Sequence, residues 1–101
     1  MSYTVIWRFQ VQPDRVAEFE SRYGPAGDWA RLFARSDGYR GTELLQDQSD
    51  PLVYFTVDWW ESEAAFSSFR ERHGQAYGEL DASCESLTLG ETRVGSFIGI
   101  G

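Results

Sequence analysis

The sequence predicts an α+β fold: one antiparallel sheet with helices packed against it, on a split β-α-β framework. Three observations predict it. Stretches alternating with period two mark strands near both ends and in the middle of the chain. Apolar residues at helical spacing fill the segments between them. The elements then fall in the order β-α-(α)-β-β-α-β.

Tyr3 to Val11 places Tyr3, Val5, Trp7, Phe9 and Val11 on one face and Thr4, Ile6, Arg8 and Gln10 on the other, a pattern of β-branched and aromatic residues that reads as a strand. Gln12-Pro13-Asp14 ends it. Pro13 suits a first helical position and Asp14 the positive end of a helix dipole, so a helix is expected from Pro13 to about Tyr23, with Val16, Phe19 and Tyr23 on its buried side. Gly24-Pro25-Ala26-Gly27 breaks that helix. Asp28 is placed to cap a second, short helix from Trp29 to Arg35, whose apolar side is Trp29, Leu32 and Phe33.

Tyr39 to Asp47 reads as the second strand, Gln48-Ser49-Asp50-Pro51 as a turn, and Val53 to Trp60 as the third strand, with large apolar groups on both faces. Ser62 is placed to cap the next helix. Phe66, Phe69, His73, Tyr77, Leu80, Cys84 and Leu87 follow at spacings of three and four, one stripe along a helix of about six turns, weakened at Gly74 and Gly78. Gly90 closes it, and Thr92 to Ile100 is the last strand.

This order is the ferredoxin-like split β-α-β. Right-handed crossovers put the first and third strands side by side and all helices on one face of the sheet. The other face holds either Tyr3, Trp7, Phe9, Phe55 and Trp59 or Ile6, Tyr54 and Trp60. Neither set belongs in water, so a second copy of the chain is its simplest cover.

The 101 residues fit one domain, 1–101, without a linker or an internal repeat. Aromatics make up 16% of the chain, an apolar load that must be buried in a core, a pocket or a partner. The nine basic residues are all Arg, against sixteen acids, for a net charge of -7. That balance argues against nucleic acid and against an anionic membrane surface as partners. No apolar run is long enough to span a membrane. Nor does a basic segment followed by an apolar one open the chain, so a cytoplasmic location is expected. The sequence contains neither Lys nor Asn, which excludes any mechanism needing a Lys amine or an Asn amide. One His and one Cys cannot build the usual metal sites, and no metal is expected.

Three stretches carry a resemblance. Val5-Ile6-Trp7-Arg8-Phe9 leads into Gln12-Pro13-Asp14-Arg15. Asp37-Gly38-Tyr39-Arg40-Gly41-Thr42-Glu43-Leu44-Leu45 follows the first helical region. Tyr54-Phe55-Thr56-Val57-Asp58-Trp59-Trp60-Glu61-Ser62-Glu63-Ala64-Ala65-Phe66 runs the third strand into its helix. Together they resemble the antibiotic biosynthesis monooxygenase domain family of the dimeric α/β-barrel superfamily. The resemblance implies a homodimer joined through its sheets, helices outside, and a pocket in each subunit between helices and sheet. Some members oxygenate aromatic polyketides without metal or flavin, and some degrade haem.

Oxygenation without a cofactor requires an electron-rich, deprotonated substrate, a base or anion-stabilising donor, and a dry pocket. Trp29, Phe33, Phe66 and Phe69 supply aromatic walls as candidate substrate-binding residues. Trp60 matches a Trp that family active sites use, and its indole N–H is a candidate donor to an oxyanion; a packing role is the alternative. His73, the sole histidine, is the natural base or haem ligand, and Tyr77 lies one turn further on; each also fits a core role. Arg8 and Asp58 stand on neighbouring strands and, in one layer, would form a buried pair that is either structural or an anchor for a substrate anion. The haem-degrading members use an Asn–Trp–His trio and the quinone-forming ones an Asn near the end of the third strand. This chain has no Asn, and Asp58 or a Trp stands in the latter place. The expected function is therefore a cofactor-independent monooxygenase acting on an electron-rich, polyketide-like aromatic. A non-catalytic dimer that binds an apolar small molecule is the alternative, and haem binding a third reading.

Overall fold

The computed structural model describes residues 2–101. Its elements are β1 (Tyr3–Val11), α1 (Val16–Tyr23), α2 (Asp28–Phe33), β2 (Tyr39–Gln46), β3 (Val53–Trp60), α3 (Glu63–Arg72), α4 (Gly74–Cys84), a 3-10 turn at Glu85–Leu87, and β4 (Thr88–Ile98). The four strands form one antiparallel sheet in the order β2-β3-β1-β4, the ferredoxin-like arrangement. No helix among the described residues is long and apolar enough to cross a membrane.

Register decides which side chains meet. Tyr3 pairs with Trp60, Val5 with Asp58, Trp7 with Thr56 and Phe9 with Tyr54, so the odd positions of β1 share a face with the even positions of β3. Neither grouping expected for the outer face is the observed one. Tyr3, Phe9, Tyr54 and Trp60 all turn toward the helices and are buried in the core with Phe19, Phe33 and Phe69. The outer face instead carries Ile6 and Arg8 from β1 with Phe55, Val57 and Trp59 from β3. Arg8 sits across from Phe55 and is exposed, whereas Asp58 points to the helix side and is buried. The Arg8–Asp58 pair therefore does not form: one residue lies on each side of the sheet.

The ends of several elements differ from the sequence pattern for local reasons. α1 begins at Val16, not Pro13. The Arg15 N–H donates to the Gln12 carbonyl at 3.0 Å, so Pro13 occupies the second position of a turn, which its fixed φ also suits. α2 is capped by Gly27, with Asp28 already inside the first turn, where its charge faces the helix dipole. Gly27 is required there, because a Cβ would collide with the Ser21 and Arg22 carbonyl oxygens. Ser62 does cap α3, accepting from the Ala65 N–H at 3.1 Å.

The long helical stripe is broken at its middle. His73 takes φ -120° and ψ 22° between α3 and α4, immediately before Gly74, whose low helix propensity makes this the weakest point of the stripe. β4 starts at Thr88 and runs through Gly90, so Gly90 lies within the strand. Ile6 pairs with Gly95 and Trp7 with Arg93, leaving Val94 as a bulge.

Candidate active site

An open-mouthed cavity, with an enclosed volume of about 50 Å³, lies between the helix-facing side of the sheet and the pair α2 and α4. Trp7 and Phe9 from β1 and Thr56 and Asp58 from β3 form its floor. Trp29 and Phe33 from α2, Tyr23 from α1 and Tyr77 from α4 form its walls. Trp29 and Tyr77 meet edge to face at 5.0 Å, and Tyr23 stands 6.0 Å from Trp29. Thr42 completes the floor from β2; Asp81 and Glu91 stand with it in the lining.

Asp58 is the chemical centre of this floor. It is 7% exposed, and desolvation lifts its carboxyl from the ordinary carboxylate value of 3.8 to about 6. The Thr42 hydroxyl donates to Asp58 Oδ1 at 2.6 Å and opposes that rise. Thr42 Oγ1 is itself 2.5 Å from the Tyr39 hydroxyl. With the Thr42 proton committed to Asp58, Tyr39 is the donor of that second bond. The chain Tyr39–Thr42–Asp58 fixes one carboxyl oxygen and leaves Oδ2 without a hydrogen-bond partner among the described residues. A carboxyl group of this kind is mostly ionised at neutral pH yet more basic than a surface aspartate, which is what proton abstraction requires. Tyr77 is half-buried, and burial is the main cause of its raised pKa, so it keeps its proton at neutral pH. The Arg70 guanidinium caps its ring at 4.1 Å.

Trp29 carries a second open valence. Its indole N–H is buried and approaches the Tyr23 hydroxyl, but it makes no well-formed hydrogen bond among the described residues. Such a donor loses about 1–3 kcal/mol unless water or a ligand meets it.

Of the candidates named from sequence, Trp29, Phe33 and Tyr77 line the cavity together. Trp60 does not. It is fully buried behind the wall, with its ring 5.5 Å from Phe33, 5.3 Å from Phe66 and 5.3 Å from Phe69, and its N–H is unpartnered. Phe66 and Phe69 belong to the same packed cluster. His73 is half-buried at the α3–α4 junction with its ring 5.3 Å from Phe69, outside the lining. Arg8 lies on the far side of the sheet. The residues that sequence reasoning did not assign to the site are Trp7, Phe9, Tyr23, Thr42, Thr56, Asp81 and Glu91. For Asp58 a signal existed: an acid on the same alternating face of β3 as Tyr54 and Trp60.

The family model for antibiotic biosynthesis monooxygenase matches residues 2–76. The chain belongs to that family. Among solved structures it is similar to SnoaB, a cofactor-independent oxygenase from Streptomyces nogalater, with a TM-score of 0.79 at 24% identity over 99% of this chain and 94% of that one. An asparagine-to-alanine mutant of SnoaB aligns with a TM-score of 0.75 at 25% identity over 97% and 92% of the two chains. Rv0793 from Mycobacterium tuberculosis shares the fold with a TM-score of 0.71 at 16% identity, covering 100% of this chain and 97% of its own. No curated protein matches the chain.

Proposed function

We propose that the protein is a cofactor-independent monooxygenase that oxidises an electron-rich, polyketide-like aromatic in the cavity above Asp58. The observation that carries this reading is a buried, weakly acidic carboxyl, Asp58, at the floor of a cavity walled by the aromatic side chains of Tyr23, Trp29, Phe33 and Tyr77. The similarity to SnoaB, described as a cofactor-independent oxygenase, supports it.

In this reading a flat phenolic or anthrone-like substrate lies between Trp7 and Phe9 below and Trp29 and Tyr77 above. Asp58 Oδ2 accepts a proton from the substrate, and Thr42 holds Oδ1 so that the free oxygen stays aimed into the cavity. The resulting anion passes one electron to dioxygen, and the radical pair combines into a carbon-bound peroxide. Asp58 returns its proton as the peroxide breaks. For a ring CH2 the balance is CH2 + O2 → C=O + H2O, with the substrate supplying all the electrons. Trp29 N–H and Tyr77 O–H are the donors available to the anion, and the apolar walls confine the reactive pair.

Oxygen uptake by metal-free and flavin-free protein tests the proposal, with 1,8-dihydroxyanthrone as substrate. One dioxygen consumed per quinone formed is the expected result. Binding of the anthrone by folded protein with no uptake above the uncatalysed rate would make the chain a binding protein instead.

We further propose that the working form is a cytoplasmic homodimer joined through the outer sheet face. The apolar residues Ile6, Phe55 and Trp59 on that face support it, with Phe97 46% and Leu45 43% exposed beside them. The single buried thiol, Cys84, suits a reducing compartment.

A further inference from the structure

We propose that this cavity selects uncharged polycyclic hydroxy-ketones and rejects their carboxylate-bearing counterparts, with Asp81 and Glu91 as the specificity-determining residues. The inference rests on the oxygenase reading of the same cavity and adds a substrate class to it.

The lining holds three carboxyl groups, Asp58, Asp81 and Glu91, and no basic side chain. None of these three appears in an ion pair among the described residues, where the pairs are Arg15–Glu18, Arg22–Glu18, Arg31–Asp28 and Arg40–Glu61. Arg70 stacks on the Tyr77 ring from α3. Arg93, opposite Trp7 in the register and so on the same side of the sheet, is exposed to solvent and outside the lining. The mouth continues into a second hollow that shares Tyr23, Asp81 and Glu91 and adds Glu85. Burial, then Asp81, then Glu85 hold the Glu91 carboxyl above its ordinary value, which shows that the acids at this mouth act on one another. An anionic ligand would meet like charge along its path in and find no counter-ion at the end. Glu91 is exposed, so its repulsion is partly screened by solvent and salt, while half-buried Asp81 is screened less.

The polar groups left open inside describe what does fit. Asp58 Oδ2 accepts, so it calls for a ligand O–H. Trp29 N–H is buried and faces only the Tyr23 hydroxyl, in poor geometry, so it can still donate to a ligand oxygen. A planar, neutral molecule carrying both a hydroxyl and a ketone meets both without adding charge.

The test compares 1,8-dihydroxyanthraquinone with its 3-carboxylate, which share one ring system, by quenching of tryptophan fluorescence at pH 7. The neutral compound is expected to bind at least about tenfold more tightly. Replacing both acids at the mouth, Asp81→Asn with Glu91→Gln, is expected to narrow that gap at least about fivefold by tightening the carboxylate compound. Equal affinities, tighter binding of the carboxylate, or a gap that the double variant leaves unchanged would overturn the inference. Oxygen uptake with the corresponding anthrones separates the two readings. Discriminated binding without uptake removes the oxygenase and leaves charge selection standing. Uptake with equal kcat/KM for the neutral and carboxylated anthrones does the reverse.

Discussion

Replacing Asp58 with Asn should stabilise the fold while removing the activity, and the stability gain should depend on pH. In the unfolded chain the Asp58 carboxyl loses its proton near 3.8; in the folded protein it does so near 6. Between those values the folded state holds a proton that the unfolded state has lost. Stability therefore falls as pH rises through the window, and the penalty is complete once pH exceeds the folded value. The separation is worth about 3 kcal/mol above pH 7, and about 1 kcal/mol of it is already present at pH 4.5. Asp58→Asn removes the ionisation and keeps a carbonyl oxygen to accept from Thr42. Its new amide N–H lacks an assured acceptor, which returns about 1 kcal/mol of the gain at every pH. Urea unfolding at one fixed protein concentration, at pH 4.5 and pH 8, measures the difference. The advantage of the variant over the parent should grow by about 2 kcal/mol across that interval, a relative midpoint shift of about 1 M. Oxygen uptake should fall by about two orders of magnitude or more. An advantage that does not change with pH would mean that Asp58 does not titrate where its burial places it, and the reasoning would fail.

Four other outcomes follow from the geometry. Thr42→Val removes the hydroxyl that lowers the Asp58 pKa, so the acid limb of kcat/KM should move upward by about one pH unit, and Thr42→Ser should restore it. Gly27→Ala drives a Cβ into two backbone carbonyls and should destabilise the protein by about 3 kcal/mol. Gly74→Ala meets no atom within 4 Å and should be neutral or stabilising by up to about 1 kcal/mol, as read by thermal unfolding. Trp59→Asp on the outer sheet face should convert the dimer to monomer in sedimentation equilibrium, and an unchanged mass would exclude that face as the seam.

The strands were legible because period-two alternation survives wherever one face is buried. The split framework followed from element order alone. What the pattern did not carry was register. Alternation shows that Trp7 and Phe9 share a face and that Tyr54 and Trp60 share another. It does not show that these two faces coincide; the pairing of Trp7 with Thr56 and Phe9 with Tyr54 settles that. The same uncertainty placed Arg8 beside Asp58, which the sheet separates. The stripe from Phe66 to Leu87 was read as continuous because Phe69, His73 and Tyr77 keep helical spacing across the break. Only the backbone at His73 reveals that α3 stops and α4 starts afresh. Trp60 drew attention as a polar-tipped aromatic at a strand end. Its end of the sheet is filled by Phe66 and Phe69 from α3, whereas Asp58, two residues back on the same face, lies beneath the gap between α2 and α4. Packing volume, which no single sequence displays, separates the two positions.

Desolvation raises the Asp58 carboxyl, and the lack of a cation among the lining residues leaves that rise unopposed by charge; the same lack underlies the charge preference proposed for the cavity. A cation there would hold a substrate carboxylate, and it would also stabilise the ionised Asp58 and make it a weaker base. Glu91→Arg tests that linkage, because it reverses the charge at one position in the lining. The carboxylated anthraquinone should then bind more tightly than in the parent, and the acid limb of kcat/KM for the neutral anthrone should move downward by up to about one pH unit. Both shifts should shrink together as salt is raised from 0.05 to 1 M, since both act through the same partly screened field. A tighter carboxylate with an unmoved acid limb would show that substrate charge is read at the mouth alone. The base at the floor would then be set by its burial and by Thr42, independently of what the mouth admits.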